Sequence, residues 1–289
     1  MKQIRFTAAI VAMSVLITFS ACKKVVADEE DWQSATDHAT ADVMYETANK
    51  AVDEASVETG AQRGAPLTAQ DAPMTTCANI TAVEDAGGTL YNGKKFPRTI
   101  TIDYGTTNVA CGSSLQNTRN FRGKILININ KPHRLAGSVA TITFDNFYVN
   151  DHKLEGTRTN TNTAIGANGQ PIINISMVGG KVTDPDGKTF TWNTNHTRTW
   201  LAGFETLTAV DNRVNITGSA SGVSRAGKAF SATILTPLQY ENACRYIMSG
   251  SVKITRDNLK DRVIDFGNGA CDGVATVTVD GQTKTINLK

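Results

Sequence analysis

The chain has 289 residues, 40% hydrophobic and 19% charged, the proportions of an ordinary globular protein rather than a disordered chain. Its formal net charge is only +2, and Lys and Arg form no block, which argues against a nucleic-acid binder. Beyond the N-terminus no apolar run approaches the roughly 20 residues of a spanning helix.

Residues 1–5 carry Lys2 and Arg5, residues 6–19 are uncharged and mainly apolar, and Ser20-Ala21-Cys22 close the run. A basic start, a short apolar stretch and small residues make an export signal rather than a membrane span. A cysteine directly after two small residues is similar to a bacterial lipobox, although Phe19 stands where Leu is usual. That reading predicts a signal peptide over 1–21, cleavage before Cys22 and acyl chains such as palmitate on Cys22. Ordinary secretory cleavage after Ala21 is the alternative.

Charge then divides unevenly. Residues 22–60 hold ten acids and three bases, giving −7, and residues 61–289 hold seventeen acids and twenty-four bases, giving +7. This asymmetry suggests an acidic tether, 22–76, joined to a separate β domain, 77–289. Within the leader, Trp32, Ala35, Ala39 and Val43, then Met44, Ala48, Ala51 and Ala55, recur at helical spacing over 28–58. Asp28 to Asp31 suit a helix start. The stripe is mostly Ala, so a marginal, exposed tethering helix is expected, with partner binding as the alternative. Residues 59–76 carry Gly and Pro without periodicity and read as a linker.

From Cys77 onward period-two patterns follow one another. Ile125, Ile127 and Ile129 alternate with Lys124, Asn128 and Asn130, and Ala140, Ile142 and Phe144 with Thr141, Thr143 and Asp145. Similar alternation recurs near 173–177, 230–234 and 275–279. One buried and one wet face means antiparallel sheet. Asp280-Gly281, Asp184-Pro-Asp-Gly187 and Asn168-Gly169 mark turns. The expected fold is mostly β: a large antiparallel β-sandwich or curled meander of about a dozen strands, preceded by the helix and linker. The short strands with Lys, Asn and Thr on their second face argue against a membrane barrel.

Two cassettes repeat. Cys77, Arg98-Thr-Ile-Thr-Ile-Asp-Tyr-Gly105 and Cys111 echo Cys244, Arg262-Val-Ile-Asp-Phe-Gly267 and Cys271. A second echo links Gly187-Lys-Thr-Phe-Thr191 to Gly227-Lys-Ala-Phe-Ser231, which suggests duplicated hairpins. Four cysteines in an exported chain allow three pairings. The bracketing of each strand pair favours Cys77–Cys111 and Cys244–Cys271. No short C-x-x-C pair supports zinc, and no metal or cofactor is expected.

His38, His133, His152 and His196 have no ligand spacing, and no hydrolase, zincin or P-loop pattern occurs. The Asp103-Tyr-Gly105 and Asp265-Phe-Gly267 corners read as turns. Phe190, Trp192, Thr194, His196, Arg198 and Trp200 share one face of a strand. The plain reading is core, with Arg198 neutralised by Asp145 or Asp151. The sharper one is a ligand platform in which Trp192 and Trp200 stack on a sugar while His196 and Arg198 donate.

The signal, the acidic leader, Thr101-Ile-Asp-Tyr-Gly105, Ile142-Thr-Phe-Asp-Asn-Phe-Tyr-Val-Asn150, Arg198-Thr-Trp200 and Asp265-Phe-Gly-Asn-Gly-Ala-Cys271 together resemble a group of Bacteroidota lipoproteins. That resemblance implies a β-rich protein anchored by lipid at the cell envelope, at the outer membrane on a face left open. It implies no activity, cofactor or catalytic residue. A non-enzymatic binding or structural module is therefore expected, with the membrane and a glycan or envelope protein as partners. A carrier of a lipid or other apolar ligand and a glycan-directed enzyme are the alternatives.

Overall fold

The computed structural model describes residues 29–58, 75–112, 118–206 and 211–288. The export signal, Cys22 and most of the expected linker lie outside the described residues.

Residues 29–58 contain no Gly or Pro and six Ala, so nothing interrupts helix α1, Glu29–Glu58. The strands then run as a meander. They are β1 (Asn79–Tyr91), β2 (Lys94–Asp103), β3 (Val109–Cys111), β4 (Arg119–Ile129), β5 (Val139–Val149), β6 (His152–Ile165) and β7 (Pro171–Thr183), followed by β8 (Thr189–Ala202), β9 (Arg213–Val223), β10 (Ala229–Glu241), β11 (Ser249–Thr255), β12 (Arg262–Asn268), β13 (Val274–Val279) and β14 (Gln282–Asn287). All pair antiparallel in chain order in one 14-stranded sheet, with β3 paired to β4 off the main path. The sheet does not close, and it is a curled meander, not a sandwich. Local turn chemistry drives this. Asn92-Gly93, Asn150-Asp151 and Asp280-Gly281 all take positive φ, the conformation two-residue hairpins need. The duplicated hairpins match bond for bond. Asp184 N–H donates to Lys188 C=O at 2.9 Å, and Ser224 N–H to Lys228 C=O at 2.8 Å.

Alternation sends Ile, Val, Phe and Trp to the concave face and Thr, Asn and Ser outward. One outer row runs through Thr99, Asn128, Thr141, Thr159, Ser176, Asn195, Ser219 and Thr233 on eight successive strands. Helix α1 lies along the concave face, touching β2, β4, β5, β8 and β12. This corrects two expectations. The helix is neither exposed nor a tether, because its apolar stripe and its polar side are both buried. Nor is the described part of that leader separate from the β domain, because 29–58 form its centre and Thr75 N–H donates to Glu54 Oε2 at 3.0 Å. The periodicity argument assumed that water covers the polar side. Here the sheet covers it. No helix among the described residues is long and apolar enough to cross a membrane.

Both disulfides join the expected partners, Cys77 to Cys111 and Cys244 to Cys271, with Cα–Cα distances of 5.9 and 5.8 Å. The Asp-aromatic-Gly corners are turns, with Gly105 N–H bonded to Asp103 Oδ1 and Gly267 N–H to Asp265 Oδ1, both at 2.8 Å.

Candidate functional site

The side chains proposed as a platform are buried on the inner face of β8. Trp192, His196, Arg198 and Trp200 are 1, 4, 2 and 2% exposed. None meets solvent, so the surface-platform expectation is corrected: strand alternation points this row at α1. Trp192 stacks on Tyr45 with ring centroids 5.1 Å apart and planes 7° from parallel, and its Nε1–H donates to His38 Nδ1 at 3.2 Å. His196 meets the Trp192 ring edge-on at 5.9 Å. Burial holds the His196 imidazole neutral down to about pH 4, although Asp42 opposes the shift. Arg198 lies 4.7 Å over Trp200 and pairs with Asp53 at 2.9 Å. Asp145 and Asp151, its expected partners, are exposed on the outer face.

Further pairs extend this interface along α1. Arg225 bridges Asp37 (2.6 Å) and Asp184 (2.8 Å). Arg158 pairs with Glu46 at 2.9 Å, and the neighbouring Asn160 amide donates to Asn49 at 3.1 Å. Burial pushes the Glu46 carboxyl up, but Arg158 and Arg198 outweigh it and bring its pKa below the ordinary value. His133 lies 3.5 Å from Asp53. Tyr45 O–H donates to the Glu155 and Lys181 carbonyls, at 2.7 and 3.1 Å, beside a register shift in β6. Lys50 Nζ donates to the backbone carbonyls of Glu241, at 3.0 Å, and Cys244. Burial, helped by Arg119, lowers the Lys50 pKa to about 7.

The sequence reading missed these partners. A signal existed in β6, where the inward positions of an alternating strand are Arg158, Asn160 and Asn162. An inward polar row requires polar company inside. The acidic segment upstream was the candidate. Glu46, Asp53 and Asp37 of that segment meet Arg158, Arg198 and Arg225 of the strands inside one core. Chemically the charged groups hold one another, which makes this interface a fastener. Among the described residues no group of three or more His, Cys, Asp or Glu is gathered for a metal.

The outer face carries two depressions, of about 400 and 460 Å³, which share Arg122 and Tyr148. They lie beside facing irregularities of β4 and β5. The register shifts between Arg122 and Lys124, and Gly123 takes φ +85° opposite Asn146 at φ 45°. A Cβ on Gly123 would lie 1.9 Å from the Asn146 carbonyl oxygen, so only glycine fits. The chain matches no protein-family model, no curated protein and no solved structure.

Proposed function

We propose that the protein is a lipid-anchored lipoprotein of the bacterial envelope, at the outer membrane, and that its sheet is a non-enzymatic binding or structural module. The observation that carries this reading is the occupation of the sheet's interior by α1. A carrier would keep that space for its apolar ligand, and an enzyme of this shape would open it to substrate. Here Arg158, Arg198 and Arg225 of the strands are each held by a carboxylate of α1. What remains for recognition is the polar outer face. The basic-apolar start ending at Cys22 supports the anchor, and two disulfides suit an oxidising compartment. The resemblance to Bacteroidota lipoproteins supports the same address.

Expression of the full chain and of Cys22→Ser in a bacterium that processes lipoproteins tests the anchor. The parent is expected in the membrane fraction with incorporated labelled palmitate. The variant is expected in the soluble fraction without label. Equal partition of both, with no label on either, would remove the anchor from this reading.

A further inference from the structure

The outer depressions have a built centre. The Arg122 guanidinium carbon sits 3.7 Å over the Tyr148 ring. Arg122 also donates to Asn108 Oδ1 at 2.6 Å and pairs with Asp151. Asn108 closes that triangle by donating to Asp151 at 3.1 Å. On the other side Lys124 pairs with Asp103 at 2.9 Å, and Asp145 stands opposite Lys124 in register. Hydrogen bonds hold both paired carboxyls below the usual carboxylate range: from Lys124 and the Gly105 amide at Asp103, from Arg122 and Asn108 at Asp151. They are therefore acceptors at neutral pH.

The backbone beneath is fixed. Between the pairs Arg122↔Tyr148 and Lys124↔Asp145, β5 carries one residue more than β4, a bulge of the kind that re-aims side chains and recurs near functional sites. It sets Tyr148 and Asp145 opposite Arg122 and Lys124, which alternation between the inward Phe121 and Ile125 already sends to the outer face. The Asn150-Asp151 turn is pinned to β4 by Asn120 N–H donating to Asn150 Oδ1 at 3.0 Å. Arg122 thus reaches its position already oriented, so binding would cost it little ordering.

The charge pattern selects the ligand. Cation and carboxylate alternate, and Arg122 and Lys124 each already have a carboxylate. A phosphate or uronate would have to displace one. A cationic ligand would have to compete with Arg122 and Lys124. A hydroxyl both donates and accepts, so it can bridge a carboxylate and its cation without breaking the pair. The flat Arg122–Tyr148 stack offers a surface for an apolar C–H face. The volumes fall within the range of small-molecule sites, about 300–1,000 Å³. We propose that these joined depressions bind an uncharged glycan, with the Arg122–Tyr148 stack as the central wall. This inference rests on the reading of the sheet as a binding module and names its ligand class.

The test is calorimetric titration of the full chain in detergent with neutral gluco-, manno- and galacto-hexaoses and with a galacturonate hexamer. It is repeated on Tyr148→Ala and Arg122→Lys, with Lys253→Ala on β11 as a control. The expected result is binding of at least one neutral hexaose, weakened about tenfold or more in both site variants and unchanged in the control. Thermal midpoints are recorded for all. If Tyr148→Ala lowers the midpoint, Arg122→Lys decides, since it keeps the charge and loses the planar fork. Neutral binding that survives Arg122→Lys overturns the site, and tighter binding of the galacturonate hexamer overturns the ligand class. No binding of any hexaose overturns the inference while leaving the anchored-module reading to the Cys22→Ser fractionation.

Discussion

Arg198 shows how this protein handles buried charge. Its guanidinium touches Trp200 on its own strand and Asp53 on α1, and both members of the ion pair are 2% exposed. Removing one member strands the other in a medium that cannot solvate it. Arg198→Ala is expected to cost about 3–5 kcal/mol in urea denaturation, with Asp53→Ala similar and the double variant costing far less than the sum. His196 makes a pH prediction. Its imidazole faces Asp42, His38, Glu46 and Arg158, and stays neutral in the fold down to about pH 4. Unfolded, it titrates near 6.5. The unfolded chain therefore binds this proton first as pH falls. Stability from this group is intact above about pH 6.5 and declines to a loss on the order of 3 kcal/mol below pH 4. His133 is lowered in the same direction by burial, against the pull of Asp53. His196→Gln should therefore flatten, without abolishing, the decline in urea midpoint between pH 6.5 and 4. An unchanged slope would remove His196 from the account.

At the scale of the element, α1 is the part that was hardest to read. Its existence and span were legible, because an uninterrupted Ala-rich run with helical spacing is a strong local signal. Its place was not. The period of Trp32, Ala35 and Ala39 identifies one apolar side but cannot say whether water or arginine meets the other. The hydroxyls of Thr36, Thr40, Thr47 and Ser56 turn back on their own helix to bond carbonyls four residues earlier, which lets polar residues enter a core unaided. The alternating strands, their turns and the disulfide pairs were legible because these signals are local, whereas they leave the sheet order open between a sandwich and a curled meander. The Arg122–Tyr148 groove was not legible, since the extra residue in β5 shows only when that strand is aligned with β4. The buried helix has a direct test. Deleting residues 22–58 is expected to prevent folding, seen as red-shifted tryptophan emission and lost near-ultraviolet dichroism, because Trp192 loses Tyr45 and His38. A folded deletion variant would restore the tether.

Across the molecule the Cys244–Cys271 cassette meets β4, the strand that pairs Arg119 with Cys111 of the first cassette. Arg119 donates to the Arg245 carbonyl at 3.0 Å and Arg245 to the Thr118 carbonyl at 3.2 Å, while both guanidiniums lie over Tyr246 at 5.8 and 4.7 Å. The segment that holds Tyr246 begins at Cys244, whose carbonyl also receives Lys50. The Cys244–Cys271 bond therefore steadies both the junction of the cassettes and the seat of the helix. Replacing both cysteines by Ser is expected to cost about 3 kcal/mol and to lower the thermal midpoint on the order of 10 °C.

The buried helix also fixes an order of events. The ribosome delivers α1 before any strand exists to receive it. Glu46 waits for an arginine 112 residues later, Asp37 for one 188 residues later, and Lys50 for carbonyls 191 and 194 residues later. Contacts so distant in sequence form slowly. During that wait the segment carries nine acids against one lysine, and this like charge opposes association between copies. The acidity that completes the core once the strands arrive also opposes self-association before they do.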